Sequence, residues 1–312
     1  LEFPESLPAA QNQSSSFRGG EMSRRNYYCL IAGLPDIIQD DKKLHFSTSR
    51  IKEYLRDELH PDDFRLAKLF YFPFDNQNLL NRMFRKEKPW DERGNLTEEQ
   101  ADHLILPKLF EESRPEDFPR YLYRFGQLLR TREEVEEEIT LEEADRILTC
   151  EYFDTLQKAP NQFVRQVASY RMDTGNILLA LNGRKHSFQF EEAVTGDNLV
   201  ARAVRKNQTR DFGLTVDYPD VDQLIQIFET ENLLEREFKL DSRQWNFLDD
   251  ITFFHYFSVE RVLAYLLKVF LAERWFHLDY ERGQAMFNQL LSDIETSFEF
   301  PEEFSNAYGK KR

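Results

Sequence analysis

General acid–base chemistry needs paired carboxylates, and this chain has carboxylates throughout, with 56 Asp and Glu against 41 Lys and Arg in 312 residues. No pair is singled out by its neighbours, and the acids at 133–138 sit in too exposed a pattern to suggest a shifted pKa. Metal chemistry finds no better support. The six histidines, at 45, 60, 103, 186, 255 and 277, are scattered, with no two at i,i+4 on one helix. Cys29 and Cys150 lie in no CxxC or Cys/His cluster, so neither a zinc site nor a disulfide framework is supported. No P-loop, GxGxxG, GxSxG, HExxH or EF-hand pattern is present. The expectation is no catalytic, cofactor-binding or metal-binding residue, which argues against an enzyme.

What does recur is a polar pair at fixed spacing. Asp75 and Asn78 in "FDNQNLL" correspond to Asp173 and Asn176 in "MDTGNIL", 98 positions further on. Both copies read apolar, Asp, two variable residues, Asn, aliphatic, Leu. Each is followed by an apolar stretch and a basic cluster, which in the second copy holds Arg184 and Lys185. A weaker third copy, "FSVERVL", starts at Phe257, with Ser258 at the Asp position and Arg261 at the Asn position. Asp or Ser just before an apolar helical run is a good N-cap, contributing about 1 kcal/mol. Helix capping is therefore the plain expectation for Asp75, Asp173 and Ser258. The functional alternative places three equivalent helix N-termini around one pseudo-symmetric centre. For Arg184, Lys185 and Arg261 the plain reading is surface ion pairing, and the alternative is a socket for a partner. Periods this long suggest duplicated helical units.

The elements that would position these residues are helices. Gly is scarce, at 11, and Phe abundant, at 28, which favours helical faces around an aromatic core. Ser49 precedes a helical face of Ile51, Tyr54, Leu55 and Leu59 that Pro61 ends. Thr97–Gln100, Thr131–Glu134 and Thr140–Glu143 have capping-box form. The charge run "REEVEEEI" reads as a solvated helix face. Pro219 and Asp220 open a helix through Leu224, Ile225 and Phe228. Met286, Phe287, Leu290, Leu291 and Ile294 form a late apolar stripe. Only residues 27–34 and 69–74 could pass as short strands. The most apolar stretch, "FFHYFSVERVLAYLLKVFLAERW" from Phe253 to Trp275, carries His255, Glu260, Arg261, Lys268, Glu273 and Arg274, too many charges for a membrane span. Its Val259, Val262, Leu263, Leu266, Val269 and Phe270 suit a core helix packed on more than one side.

Charge narrows the partners. A formal net charge of -15 is repelled by phosphate backbones and anionic lipid. Neither nucleic-acid binding nor direct lipid binding is expected, and any membrane association should run through a protein. Cysteine usage fits a reducing, cytoplasmic compartment. Residues 1–21 lack the apolar core of a secretory signal and read as disordered, with folding expected to begin near Met22.

The motifs together resemble the C/d family of V/A-type rotary ATPases (ATP synthases), the central-stalk adaptors shared by the bacterial and eukaryotic enzymes. The family's third repeat has an acidic residue, a "VLAYLL" helix and a following Glu–Arg pair. Here these are Glu260, the run from Val262 through Tyr265 to Leu267, and Glu273–Arg274. Its earlier repeats carry DxxN, an apolar turn and a basic cluster. More closely, the chain is similar over residues 25–295 to a bacterial family regarded as a divergent branch of these adaptors. That likeness rests on the start at Tyr27–Asp36, on Glu231–Phe238 and on the "FFHYFSVERVLAYLLK" core. The segment from Phe72 to Glu99 departs from the usual first repeat. The resemblance implies an all-α, funnel-like protein of three related units, here 22–130, 131–218 and 219–298, with a tail at 299–312. It implies a monomer within a hetero-oligomer at the inner face of the cell membrane, set between the central shaft and the membrane proteolipid ring. Such an adaptor transmits torque and catalyses nothing. Asp75, Asn78, Asp173, Asn176, Arg184, Lys185, Ser258, Glu260, Arg261 and Tyr265 are then the candidate partner-binding residues. Two other readings stay open. One is a helical enzyme, suggested by Tyr265 beside Glu260 and Arg261; the other is a general protein-binding scaffold.

Overall fold

Side-chain caps set most of the helix starts. The computed structural model describes residues 25–39, 44–84, 86–111 and 113–277, and these form helices and no strand. A short α1 (Tyr28–Gly33) precedes α2 (Thr48–Glu58), α3 (Pro61–Leu69) and α4 (Phe72–Met83). Next come α5 (Glu98–Ile105), α6 (Pro107–Phe110), α7 (Arg120–Glu134) and α8 (Leu141–Gln157). The long α9 (Gln162–His186) leads to α10 (Leu199–Lys206), α11 (Val221–Phe228), α12 (Leu233–Thr252) and α13 (Val259–His277). The late stripe from Met286 to Ile294, residues 1–21 and the tail lie outside the described residues.

Thr97 and Gln100 make the expected reciprocal box at α5, and Thr140 caps α8. Three local expectations are corrected. The cap of α2 is Ser47, two residues before Ser49, because its hydroxyl reaches the Arg50 amide. Thr131 starts nothing: it lies inside α7 and bonds back to the Gln127 carbonyl. The buried row of Tyr121, Leu122 and Phe125 opens that helix, which Gln127–Arg130 carries onward. The acidic run is then the end of α7 and its exposed turn, with Glu136 at φ 56°, rather than a helix face. Neither stretch that could pass as a strand is one: residues 28–33 form α1, and residues 69–74 hold the end of α3, a two-residue turn and the start of α4.

Buried apolar residues fall into two groups. The larger draws on α1 through α8, the start of α9, and α12 and α13, and it is strongly aromatic. The Phe270 ring lies 5.0 Å from Tyr71 and 5.8 Å from Phe74, and Phe72 lies 5.6 Å from Tyr121. The smaller group runs from Ile177 to Phe228 and packs α10 and α11 onto the second half of α9. α9 therefore threads both. α13 is the core helix its pattern implies. Val262, Leu263, Leu266, Leu267 and Val269 are fully buried against α2, α3 and α12, each contributing about 1.5–3 kcal/mol of burial. Glu273 near its end receives the backbone N–H and hydroxyl of Thr48, satisfying the first turn of α2. Arg274 grips Glu237 and Asp241 on α12.

Candidate functional site

The repeated Asp–Asn pairs do not cap their own helices. Asp75 lies in the first turn of α4, where Tyr71 is the N-cap, and Asp173 lies in the middle of α9. Both reach sideways to hold the loop leading to the next helix. Asn78 donates to the Asp91 carbonyl at 2.9 Å and accepts from its amide at 3.0 Å. Asn176 does the same to Thr195, at 2.8 and 2.9 Å. A carboxamide can pair with both polar groups of one residue because it carries donor and acceptor side by side, as a peptide unit does. Each Asp then takes an Asn further along the loop. Asp75 accepts from the amides of Asn95 and Leu96 at 2.6 and 2.8 Å and from the Asn95 side chain at 3.1 Å. Asp173 accepts from the Asn198 side chain at 2.7 Å. Asn198 in turn caps α10, and Asn95 stands two residues before the Thr97 cap of α5.

The loops carry a signature of their own that the sequence motifs above leave out: "GNL" at Gly94–Leu96 and "GDNL" at Gly196–Leu199. Each glycine meets a physical demand. A Cβ on Gly94 would stand 2.4 Å from Asp75 Oδ1, and Gly196 sits at φ 78° beside the Met172 sulfur. Gly is the residue that permits both.

The first clamp holds charge. Asp75 is fully buried, and burial pushes its carboxyl up to about 6 against the bonds from Leu96 and Asn95 and the field of Lys52. Lys52 donates to the carbonyls of Arg93 and Gly94 and lies 4.7 Å over the Tyr71 ring. Burial lowers its ammonium to about 8. Among the described residues the donors to Asp75 belong to Asn95 and Leu96 of the loop it holds, so the buried acid works as a structural joint.

The third copy behaves differently. Ser258 directly precedes α13, and its hydroxyl donates to Glu260 while lying 3.2 Å from His255 Nδ1. The other Glu260 oxygen accepts from Asn161, the N-cap of α9, at 2.8 Å. Burial opposes ionisation of Glu260, but the Ser258 hydroxyl, its own backbone amide, Asn161 and His255 together hold it below the usual carboxylate range. Both His255 contacts use Nδ1, so the trio lacks the relay order of a serine hydrolase. Arg261 pairs with Asp249 at 3.6 Å and donates to the Thr252 hydroxyl at 3.4 Å, side chains rather than a backbone unit. Tyr265 donates to the Pro35 carbonyl at 3.0 Å, and burial raises its phenol to about 12. Tyr265 and Arg261 share a cleft of about 190 Å³ with Ile31 of α1 and the segment Leu34–Ile37 that follows it, while Glu260 is engaged by Asn161.

The structure separates the expected socket cations. Asn161, at the start of α9, touches Glu260 next to Arg261, whereas Arg184 lies 23 residues further along α9, about 35 Å away at helical rise. Arg184 stacks 3.9 Å over Phe212 and donates to the carbonyls of Thr209 and Asn207, tying down the loop after α10. Lys185 is exposed, 5.3 Å over the Phe228 ring.

Beside the third motif lies a feature that its sequence pattern does not announce. Phe253, Phe254, Tyr256 and Phe257 are 66, 81, 64 and 42% exposed, and Tyr28 of α1 is 55% exposed. Phe253 packs on Phe254 at 4.9 Å and Tyr28 on Phe257 at 4.6 Å. The amide of Tyr27 donates to the Phe257 carbonyl at 2.6 Å, fixing α1 to this turn. An aromatic ledge is thus held out on a rigid base. Among the described residues no group of His, Cys, Asp and Glu is placed to hold a metal ion, and no helix is long and apolar enough to cross a membrane.

These features define an all-helical protein with a duplicated loop clamp and an outward aromatic ledge. The chain matches the family model described as "Protein of unknown function (DUF2764)" over residues 24–298, and it belongs to that family. No curated protein and no solved structure matches it.

Proposed function

We propose that the protein is a non-catalytic docking protein, and that it serves as the central-stalk adaptor of a V/A-type rotary ATPase, between the shaft subunits and the membrane proteolipid ring. One observation carries the docking part: the ledge of Phe253, Phe254, Tyr256 and Phe257 with Tyr28. Soluble proteins rarely leave several large aromatics side by side in water, and such patches mark interfaces. The rotary-ATPase part rests on the motif resemblance, whose third repeat begins at this ledge. A torque-bearing adaptor must be stiff, and two loop clamps with a close-packed aromatic core supply stiffness.

The test is co-purification of the full chain with the shaft subunits and the solubilised proteolipid ring from the same organism. Wild type should be retained by at least one of them, and the Phe253→Ser/Phe254→Ser double variant should be lost from it. A wild-type chain that ignores both removes the rotary assignment. Retention of the double variant at wild-type strength removes the ledge from the interface.

A further inference from the structure

A cleft of about 540 Å³ opens where α11 and α12 meet the middle of α9, its lining ending at Asp250, three residues before the aromatic ledge begins. Its volume lies in the range of small-molecule sites. One wall is apolar, made by Ile227 and by Tyr170 stacked on Phe247 at 4.1 Å with only 12° between the rings. Gln226 and Asn246 are exposed at its lip. Arg243 forms the floor, with a side chain only 9% exposed. Gln223 accepts from its Nε at 3.2 Å, and Asp220 takes Nη2 at 2.6 Å. Among the described residues Nη1 is buried without a hydrogen-bond partner, and the Tyr218 phenol lies near the guanidinium, which works against the burial that raises its pKa.

A buried guanidinium with one unmet donor is costly, and its natural complement is a two-oxygen anion that takes both terminal nitrogens. Asp220 fills that role only in part. It is the N-cap residue of α11, yet its side chain makes no cap bond and turns to Arg243 instead, while remaining 60% exposed. The other charges of the cleft do not compete for the fork. Lys239 is drawn out to Glu235 at 2.7 Å. Asp250 stands seven residues beyond Arg243 on α12, about 10 Å along the helix. We infer that this cleft is a binding site for a small carboxylate-bearing molecule with a flat apolar body. The ligand carboxylate displaces Asp220 and takes Nη1 and Nη2 of Arg243 together, and the body lies on Ile227 and Phe247. The inference is independent of the docking role.

Sodium benzoate is the probe and benzamide its neutral isostere, each titrated into the full chain and followed by amide NMR shifts and calorimetry. Benzoate should shift residues of α11 and α12 around the cleft, and benzamide should not. Arg243→Lys, which keeps the charge but removes the fork, should weaken benzoate about tenfold or more. Asp220→Asn, which removes the internal competitor at an exposed position, should tighten it about two- to fivefold. The two variants thus move in opposite directions, and Asp220→Asn decides the matter if Arg243→Lys fails to fold. Absence of benzoate shifts at the cleft, equal binding of benzamide, or unchanged affinity in Asp220→Asn would each overturn the inference.

Discussion

Asn78 and Asn176 stand 98 positions apart and make the same two hydrogen bonds, each pairing its side-chain amide with the N–H and C=O of a single loop residue. The likeness of sequence around them is therefore a likeness of mechanism. In both places a helix grips the extended piece of loop that feeds the next helix, and in both the Asp three residues earlier takes an Asn further along that loop. The repeat is a joint used twice. Its third sequence copy at Ser258 and Arg261 grips no backbone and serves the start of α13 instead.

The joint can be broken with one atom. Asn176→Asp keeps the acceptor for the Thr195 amide but sets a carboxylate oxygen against the Thr195 carbonyl. We expect a loss of about 1–3 kcal/mol in urea unfolding at pH 7, and a similar loss for Asn78→Asp. Unchanged midpoints in both variants would show that the loops hold without the clamp.

Two glycines should respond to alanine with opposite signs. The Cβ of Gly94→Ala would fall 2.4 Å from an Asp75 oxygen that two backbone amides already fix. It cannot yield, so a loss of about 1–3 kcal/mol is expected. Gly175 lies exposed within α9 and an added Cβ meets nothing among the described residues, so Gly175→Ala should gain about 0.5–1 kcal/mol of helix stability. Thermal melts of both variants check the pair.

The aromatic ledge should be dispensable for folding. Phe254 is 81% exposed and Phe253 66%, so replacing both with Ser should move stability by no more than about 0.5 kcal/mol each. Leu263, fully buried on the same helix hairpin, should lose about 2–5 kcal/mol as Ala. Chemical denaturation of the two variants side by side measures the contrast. A large loss in the ledge variant would mean that those rings serve the fold.

Much of the scaffold was legible because it follows local rules. Thr97, Thr140 and the Asp220 helix start could be read from spacing alone, and the burial of Val262, Leu263 and Leu266 followed from the breadth of the apolar pattern. The Asp–Asn repeat was also visible, but its role was not. Asp before an apolar run looks like a cap, and only the tertiary position of the loops carrying Asn95 and Asn198 reveals a clamp. Arg184 and Arg261 looked like parts of one socket because sequence gives no distance; a single unbroken α9 keeps them apart. The unmet donor on Arg243 had no sequence signal, since it depends on which helices happen to flank it.

The buried acid predicts a pH dependence of unusual sign. Burial raises Asp75 to about 6 from an ordinary 3.8. The folded state then binds this proton more tightly than the unfolded state. By linkage, stability from this group is fully present below the unfolded pKa and is lost as pH rises through the folded one. A typical salt-bridged Asp, with a lowered pKa, runs the other way. Asp75→Asn keeps an oxygen for the Asn95 and Leu96 amides and removes the titration. The stability difference, wild type minus variant, should therefore fall by about 2–3 kcal/mol between pH 4 and pH 7. Lys52 acts in a separate window. Burial lowers it to about 8, so its contribution is deficient below that value and recovers as pH rises from about 8 towards 10.5. Urea unfolding of both proteins from pH 4 to pH 7 isolates Asp75, because every other carboxylate cancels in the difference. A difference that rises across this range would mean that Asp75 is stabilised as an anion, with Lys52 outweighing the cost of burial.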